Sequence, residues 1–213
     1  MERVCYVVGA GDFFGFCRAP EKKDYVIAAD GGYTYLQRLG ISPDLVLGDF
    51  DSLAKKPQNR NVIELPREKD DTDMLYALRL GIEKGFTCFY LYGGMGGRFE
   101  HTLANLQALA FLASRGARGF LFGQNEVTTI FQNGRLSFGA EAEGYFSLFS
   151  YGRTCTGVCI RGMKYELEDA QIENTYPIGV SNEFTGRPSR ISIASGTAIA
   201  VFAQKNMNSL KTT

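Results

Sequence analysis

The first half of the chain alternates short apolar runs with segments of helical periodicity. The runs are continuously or almost continuously apolar, as expected of strands buried on both faces, and cover residues 4–8, 25–29, 45–47, 62–65 and 88–92. Between and after them, residues 71–82 and 101–115 place apolar side chains at helical spacing, and Gly85 and Gly116 follow as helix stops. Strands that alternate with helices predict crossover units and a mostly parallel sheet.

The second half has a different pattern. From about Gly119, short segments rich in Phe, Tyr, Val, Thr and Ile are separated by Gly, Asn or Pro, and they cover residues 127–131, 136–138, 145–149, 157–160, 190–193 and 198–202. Asn133-Gly134 predicts a two-residue hairpin between the first two, because both turn positions need positive φ. The pattern predicts an all-β, sandwich-like domain over residues 123–213, after an α/β domain over residues 1–122.

Composition narrows the classes of partner. Lys and Arg number 23 and Asp and Glu number 23, so no basic excess favours nucleic acid or an anionic membrane. No apolar run approaches the roughly 18 residues that a spanning helix needs, and the first residues lack the pattern of a signal peptide. We therefore expect a cytoplasmic protein. The five cysteines include no C-x-x-C pair and the chain has one histidine, which argues against disulfides and structural zinc.

Candidate chemistry follows the predicted strands. Ligands of open parallel sheets bind where the carboxyl ends of the strands meet. Here the strands lead into glycines and carboxylates, namely Gly9-Ala10-Gly11-Asp12, Asp30-Gly31-Gly32, Gly48-Asp49-Phe50-Asp51-Ser52, residues 66–73 and Gly93-Gly94-Met95-Gly96-Gly97-Arg98. Glycines let backbone N–H groups approach phosphate oxygens, and crowded carboxylates require a cation, for which an all-oxygen set suits Mg²⁺. The loops predict a site for Mg²⁺ and a nucleotide.

Each of these features also has a purely structural interpretation. Asp71 or Asp73 can simply cap a helix, and His101 stands at a predicted helix start, where a first-turn or capping role is an alternative to catalysis. The glycine-rich segments also occur in ordinary tight turns. Neither G-x-x-x-x-G-K-[ST] nor G-x-G-x-x-G is present, which argues against P-loop and dinucleotide-binding folds.

Taken in order, five segments resemble the motif series of the thiamine pyrophosphokinases. They are Ala29-Asp30-Gly31-Gly32, Gly48-Asp49-Phe50-Asp51-Ser52, Lys69-Asp70-Asp71-Thr72-Asp73, residues 93–101 and Val180-Ser181-Asn182-Glu183-Phe184. The resemblance spans nearly the whole chain. It implies transfer of pyrophosphate from ATP to the hydroxyethyl group of thiamine, giving thiamine diphosphate and AMP. It also implies a catalytic ATP- and magnesium-binding domain, then a thiamine-binding and dimerisation domain, in a homodimer with its active site at the subunit interface.

The resemblance assigns roles residue by residue. Metal binding and catalysis fall to Asp49, Asp51 and Asp73, and catalysis also to Arg98. Nucleotide binding falls to Asp30, Gly31, Gly32, Lys69, Thr72, Gly93, Gly94, Gly96, Gly97 and Arg98. Substrate binding falls to Glu100, His101, Ser181 and Asn182. Mg²⁺ and the cations would then neutralise charge on the β-phosphate, and positioning would dominate over covalent chemistry.

Two positions depart from the family pattern, and other functions remain open. The family commonly has Asp at Glu100, and the chain has no tryptophan, so Phe184 or Tyr165 would stack on the thiamine rings instead. The alternatives are a pyrophosphokinase for another small alcohol such as a pterin, a haloacid-dehalogenase-like phosphatase built on Asp49 and Asp51, and a non-catalytic nucleotide sensor. Leu53 argues against the phosphatase, and residues 181–183 favour thiamine.

Overall fold

The computed structural model describes residues 2–50, 57, 59–68 and 70–212. These residues form two compact units, Met1–Gln124 and Asn125–Thr213. The chain is a mixed α/β protein in which parallel strands and helices come first and antiparallel sheets follow. Among the described residues, no helix is both long and apolar enough to cross a membrane.

The first unit is built on a parallel sheet. Its described elements are β1 (Cys5–Val8), β2 (Tyr25–Ala29), α1 (Gly32–Arg38), β3 (Leu45–Gly48), β4 (Val62–Glu64), α2 (Asp73–Glu83), β5 (Cys88–Tyr92), α3 (Phe99–Ser114) and β6 (Arg118–Phe122). The strands lie in the order β6-β5-β1-β2-β3-β4, and the pairings between neighbours are parallel. The predicted parallel sheet is confirmed, and the structure adds α1 and β6, which the pattern did not predict.

Burial explains why these runs form central strands. The strands β1 and β3 are buried along their whole length, and β1 lies between β2 and β5. A strand with both faces covered has no solvent side, so it carries apolar residues throughout instead of alternating. On α3 the buried residues are Asn105, Ala108, Leu109 and Leu112. One polar side chain is therefore buried on an otherwise apolar helix face.

The second unit contains two antiparallel sheets. Its described elements are β7 (Glu126–Gln132), β8 (Arg135–Phe138), β9 (Tyr145–Ser150), β10 (Cys155–Arg161), β11 (Leu167–Ile172), β12 (Asn182–Glu183), β13 (Ser189–Ser192), β14 (Thr197–Ala203), a 3₁₀ helix (Gln204–Asn208) and β15 (Lys211–Thr212). Within this unit the strand orders are β12-β9-β14-β7 and β11-β10-β13-β8-β15. The ring of Phe138 on β8 contacts Phe146 on β9 and Phe202 on β14, at centroid distances of 5.9 and 5.1 Å. The two sheets thus share an aromatic core.

The predicted hairpin at Asn133-Gly134 is wrong. The strands β7 and β8 belong to different sheets, since β7 pairs with β14 and β8 pairs with β13 and β15. Asn133 has a φ of 46°, but Gly134 is not among the residues with positive φ that a two-residue turn requires. The Asn133 backbone and side chain bond Gly196 instead, at 3.1 and 2.9 Å. All seven residues of β7 pair with β14, which is not in the sheet of β8, so the chain passes from one sheet to the other between β7 and β8.

Candidate active site

A cavity of about 660 Å³ opens in the first unit at the carboxyl ends of its parallel strands. This volume is typical of small-molecule sites, which run from about 300 to 1,000 Å³. The cavity is lined by Gly9, Ala10, Gly11, Ala29, Asp30, Asp49, Arg67, Asp70, Asp71, Thr72, Asp73, Met74, Gly93, Gly94, Gly96, Gly97, Arg98, His101 and Asn105. The loops that follow β1, β2, β3, β4 and β5 therefore meet at one place.

Two glycine-rich loops form one wall by direct contact between their backbones. We call the turn 9–11 and the loop 93–97 the two glycine loops. Gly11 N–H donates to Gly93 O at 2.8 Å, and Asp12 N–H donates to Met95 O at 2.8 Å. A Cβ on Gly9 would lie 2.8 Å from Gly93 O, and one on Gly11 would lie 2.6 Å from Met95 O. Glycine is needed here because two backbones touch, which the sequence alone does not reveal.

The second glycine loop ends in two glycines with positive φ, Gly96 and Gly97, of which Gly97 faces open space. Gly96 and Gly97 have φ values of 79° and 60°, a region that side chains other than glycine rarely adopt. A Cβ on Gly96 would lie 2.0 Å from a carboxylate oxygen of Asp12, whereas one on Gly97 would meet nothing within 4 Å. Glycines beside a cavity have no side chain that would keep phosphate oxygens away from their N–H groups.

The carboxylates of Asp30 and Asp49 are brought to the cavity by contact between two neighbouring strand ends. Asp30 N–H donates to Leu47 O at 2.7 Å, which holds the turn after β2 against β3. Asp30 has a φ of 48°, and a Cβ on Gly48 would lie 3.0 Å from its Cα. The close approach requires glycine at position 48. It places both aspartates on the same wall.

At the start of α2, Thr72, Asp71 and Asp73 make different contacts. Thr72 is the N-cap residue, and its Oγ1 accepts a hydrogen bond from Leu75 N–H at 3.2 Å. Asp71 forms an ion pair with Arg79 at 3.2 Å. Asp73 is the first residue of the helix and lines the cavity. The cap is therefore Thr72, and neither Asp71 nor Asp73 provides it.

The donor set fits a hard divalent cation. Asp51 and Lys69, which are predicted to bind metal and nucleotide, lie outside the described residues. Within the described ranges, no group of three His, Cys, Asp or Glu side chains is arranged to hold a metal ion. Asp49 and Asp73 nevertheless line the same cavity. Mg²⁺ commonly takes one or two carboxylates and completes its shell with water and substrate phosphates, so these oxygens suit it chemically.

The start of α3 contributes Arg98 and His101 to the cavity, but Glu100 is not among the lining residues. Glu100 instead accepts a hydrogen bond from Arg98 Nε at 2.6 Å, and both side chains are largely exposed. Its own backbone N–H and the Arg98 guanidinium lower the pKa of the Glu100 carboxyl, which stays ionised. The N-cap residue is Arg98 and its side chain makes no capping hydrogen bond; His101 is the third residue of the helix, so it does not occupy the capping position.

Gly31 and Gly32, predicted to bind nucleotide, do not line the cavity. Gly32 is buried at the start of α1, where a Cβ would lie 1.9 Å from Val8 O. A Cβ on Gly31 would lie 3.0 Å from the Cβ of Ala10. The structure therefore explains both glycines by the close packing of α1 against β1 and its loop.

The substrate residues predicted in the second unit take different positions. Ser181 is exposed with a φ of 59°, and its N–H donates to Ser147 Oγ at 3.0 Å. Asn182 is buried, and its side-chain amide forms two hydrogen bonds with the backbone of Tyr165. Its Oδ1 accepts from Tyr165 N–H at 3.0 Å, and its Nδ2 donates to Tyr165 O at 2.7 Å. The Asn182 amide thus holds Tyr165 in place.

Of the two aromatic residues considered for stacking on thiamine, one is accessible. Tyr165 is 60% exposed, and the Lys164 ammonium lies 5.5 Å from its ring centroid. Phe184 is buried and its ring packs against Phe138 at 5.0 Å. Phe184 therefore belongs to the core, because its apolar ring is worth more in contact with other rings than in water.

Sequence reasoning missed Asn105 and assigned no role to Arg67 in the loop 66–73, yet both line the cavity. The leucines at helical spacing in residues 101–115 predict the buried face of α3. In the structure, however, Leu103 is 48% exposed and Asn105 is 7% exposed. Asn105 Nδ2 donates to Gly94 O at 2.6 Å. Its position four residues after His101, on the same helix face, was the available indication.

Similarities to known proteins bear on both units. The family model described as "Thiamin pyrophosphokinase, catalytic domain" matches residues 16–120, and "Thiamin pyrophosphokinase, vitamin B1 binding domain" matches residues 135–198. The chain is 28% identical over 182 residues to the thiamine pyrophosphokinase of Bacillus subtilis, covering 82% of this chain and 85% of that protein. It is 29% identical over 179 residues to thiamin pyrophosphokinase 1 of Caenorhabditis elegans, covering 77% of this chain and 73% of that protein.

Solved structures have the same fold. A crystal structure of the Bacillus subtilis thiamine pyrophosphokinase superposes with a TM-score of 0.86 at 24% identity, covering 94% of this chain and 99% of that one. A crystal structure of the thiamin pyrophosphokinase of Geobacillus thermodenitrificans superposes with a TM-score of 0.82 at 25% identity, covering 94% of this chain and 97% of that one. With one family model matched in each unit, the chain belongs to the thiamin pyrophosphokinase family.

Proposed function

We propose that this protein is a thiamine pyrophosphokinase that transfers pyrophosphate from ATP to thiamine and releases AMP. The observation that carries the proposal is that glycine loops and aspartates meet in one cavity at the ends of the parallel strands. Membership of the family supports the substrate pair, because one matched model describes the catalytic domain and the other a vitamin B1 binding domain.

We assign Mg²⁺ binding to Asp49 and Asp73, with Asp51 as a further ligand outside the described residues. Bound there, Mg²⁺ would neutralise charge on the phosphates of ATP. The protein's own groups bind and orient the triphosphate. The N–H groups of the second glycine loop, the Thr72 hydroxyl and the Arg98 guanidinium lie around the cavity as donors to phosphate oxygens.

The reaction has one bond formed and one broken. The hydroxyl oxygen of thiamine bonds the β-phosphorus while the bond from that phosphorus to the oxygen bridging the α- and β-phosphates breaks, so AMP leaves. The hydroxyl proton passes to a base, for which the aspartates of the cavity are the candidates. The role of the protein is to align the attacking oxygen, the phosphorus and the leaving oxygen, and to offset the charge that develops.

At the thiamine end, we propose that Tyr165 stacks on the rings and that Asn182 acts by holding Tyr165. The exposure of the Tyr165 ring and the two hydrogen bonds between the Asn182 amide and the Tyr165 backbone support this assignment. Ser181 and His101 stay candidates for direct contact with substrate. Glu100 is assigned the task of orienting Arg98, since the two side chains are 2.6 Å apart.

A homodimer with composite sites is the assembly that the resemblance implies, and we propose it here. In such a dimer the second unit of one subunit would supply thiamine contacts to the cavity of its partner. Neither the pterin kinase nor the phosphatase alternative gains support, because both matched models describe thiamin pyrophosphokinase domains.

The deciding experiment is incubation with ATP, Mg²⁺ and thiamine, with separation of the nucleotide products. We expect one AMP for each thiamine diphosphate formed, no AMP when thiamine is omitted, and no turnover in excess EDTA. AMP formed with a hydroxymethylpterin in place of thiamine would identify the alternative kinase. Inorganic phosphate as the product would indicate a phosphatase, and bound but unreacted ATP would indicate a sensor.

A further inference from the structure

Two helices hold the glycine loops from outside through side chains that have no assigned role in the reaction. Asn105 on α3 donates from Nδ2 to Gly94 O at 2.6 Å. Tyr35 on α1 donates from its hydroxyl to Gly11 O at 3.0 Å. Each glycine loop is therefore attached to one helix, in addition to the backbone hydrogen bonds between the loops themselves.

Asn105 occupies a buried position, where a polar side chain without a hydrogen bond would destabilise the fold. It is buried with Ala108, Leu109 and Leu112 on the inner face of α3. A buried amide without a hydrogen bond is strongly unfavourable, and an apolar residue would satisfy the packing of this face at no such cost. An amide at this position is therefore explained by its bond to Gly94.

The bond completes a series of three occupied carbonyl groups. The carbonyls of Gly93 and Met95 accept from backbone N–H groups of the first glycine loop and the residue after it, each at 2.8 Å. The carbonyl between them, on Gly94, is the one that Asn105 reaches. Because a peptide group is planar and trans, the direction of a carbonyl sets the direction of the next N–H. Holding the three carbonyls therefore aims the following N–H groups.

Glycine makes this restraint necessary. The absence of Cβ atoms lets the loop approach a ligand, but it also gives the free loop more conformations than any other residue would. Ordering such a loop when a ligand binds consumes binding free energy, and a loop already held in the bound conformation avoids that loss.

We propose that Asn105, assisted by Tyr35, is a positioning residue that keeps the glycine loops in the conformation that binds the phosphates of ATP. The proposal rests on the function proposed above, because it takes these loops as the phosphate site. A positioning role and a packing role predict different effects when the amide is removed. Loss of the Asn105 amide weakens nucleotide binding by more than it changes the stability of the fold.

The test compares Asn105→Ala with Ala108→Gly, a buried position one turn further along α3 that does not line the cavity. Binding of α,β-methylene-ATP with Mg²⁺ is measured by calorimetry, beside thermal unfolding and steady-state kinetics. We expect Asn105→Ala to weaken binding at least tenfold and to raise KM for ATP by a similar factor, with KM for thiamine within about twofold. Ala108→Gly should lower the melting temperature and keep nucleotide affinity within about twofold. Unchanged nucleotide affinity in Asn105→Ala would overturn the proposal.

If Asn105→Ala fails to fold, Tyr35→Phe decides, since it removes one hydroxyl and preserves the ring. We expect binding of the analogue to weaken about threefold, and an unchanged affinity would overturn the inference. A wild-type protein that binds the analogue but forms no AMP from ATP in the presence of thiamine would refute the proposed function alone, because the positioning role is judged by binding.

Discussion

The aspartates that line the cavity differ in their surroundings. Asp71 faces the Arg79 guanidinium at 3.2 Å, so much of its charge is already offset within the protein. Asp73 follows one residue after the cap, in the first turn of α2, where a negative charge is favourable. Asp30 and Asp49 follow β2 and β3, two neighbouring strands whose ends are joined by the hydrogen bond from Asp30 N–H to Leu47 O. Proximity in sequence therefore does not make the carboxylates equivalent.

At this scale we predict that Asp73→Asn removes turnover while the fold is kept. The amide has the same shape but lacks the negative charge that Mg²⁺ requires, so kcat should fall about 100-fold or more. The loss of a favourable first-turn charge should cost only about 0.3–1 kcal/mol of unfolding free energy. Steady-state kinetics and urea unfolding measure the two effects.

Asp71→Asn is the matched control, because it makes the same chemical change two residues away. The pair it breaks is partly exposed, and such pairs contribute about 0–1 kcal/mol. We expect its turnover to stay within about threefold of the wild type. Equal losses of activity in both variants would remove the distinction that we draw between the two aspartates.

At the scale of the elements, the cavity depends on how closely α1 approaches β1. The helix starts at Gly32, whose Cα lies so near the strand that an added Cβ would be 1.9 Å from Val8 O. Asp30 and the first glycine loop are attached to the same two elements. A displacement of α1 would therefore move parts of the cavity wall as well as the core.

We predict that Gly32→Ala strongly destabilises the protein. A backbone oxygen cannot move aside as a flexible side chain can, so helix and strand must separate, at a cost of about 1–3 kcal/mol. Chemical denaturation should show the loss in free energy of unfolding. Gln37→Ala, at an exposed position of the same helix, should change that free energy by less than about 0.5 kcal/mol. A Gly32→Ala protein as stable as the control would show that α1 can shift freely.

At the scale of the molecule, charge and assembly become the relevant quantities. The chain is formally neutral, with 23 basic and 23 acidic residues, so the acidic character of the cavity is local. The candidate metal and phosphate groups lie in the first unit together with His101, and the other candidate thiamine residues, Ser181, Asn182 and Tyr165, lie in the second. The groups proposed for the two substrates are therefore distributed over both units.

We predict that two inactive variants complement each other if the sites are composite. Asp73→Asn disables the first unit, and Tyr165→Ala removes the proposed stacking ring of the second. In a statistical mixture of exchanged dimers, half would be mixed and each of these would hold one intact site, so activity should recover to about a quarter of the wild type. Light scattering verifies the dimer, and no recovery after verified exchange would place each site within one subunit.

The sequence by itself determined the class of the fold and the general place of the chemistry. Unbroken apolar runs predicted the parallel strands of the first unit, because strands buried on both faces have no polar side. Glycines and aspartates after those runs predicted one shared edge, because parallel strands all end on the same side. The order of the motifs indicated the family, which the matched models confirm.

Tertiary structure alone decided which residues act together. Gly32 and Gly9 are required by contact with Val8 O and Gly93 O, atoms remote in the chain, and a local pattern cannot distinguish such contacts from contacts with a ligand. The partner of β7 was likewise decided by the seven-residue pairing with β14 and not by the turn at Asn133. Asn105 became part of the site only when the fold brought Gly94 within 2.6 Å of its amide. Local periodicity records which faces are buried, whereas the identity of the neighbour depends on the packing of the whole unit.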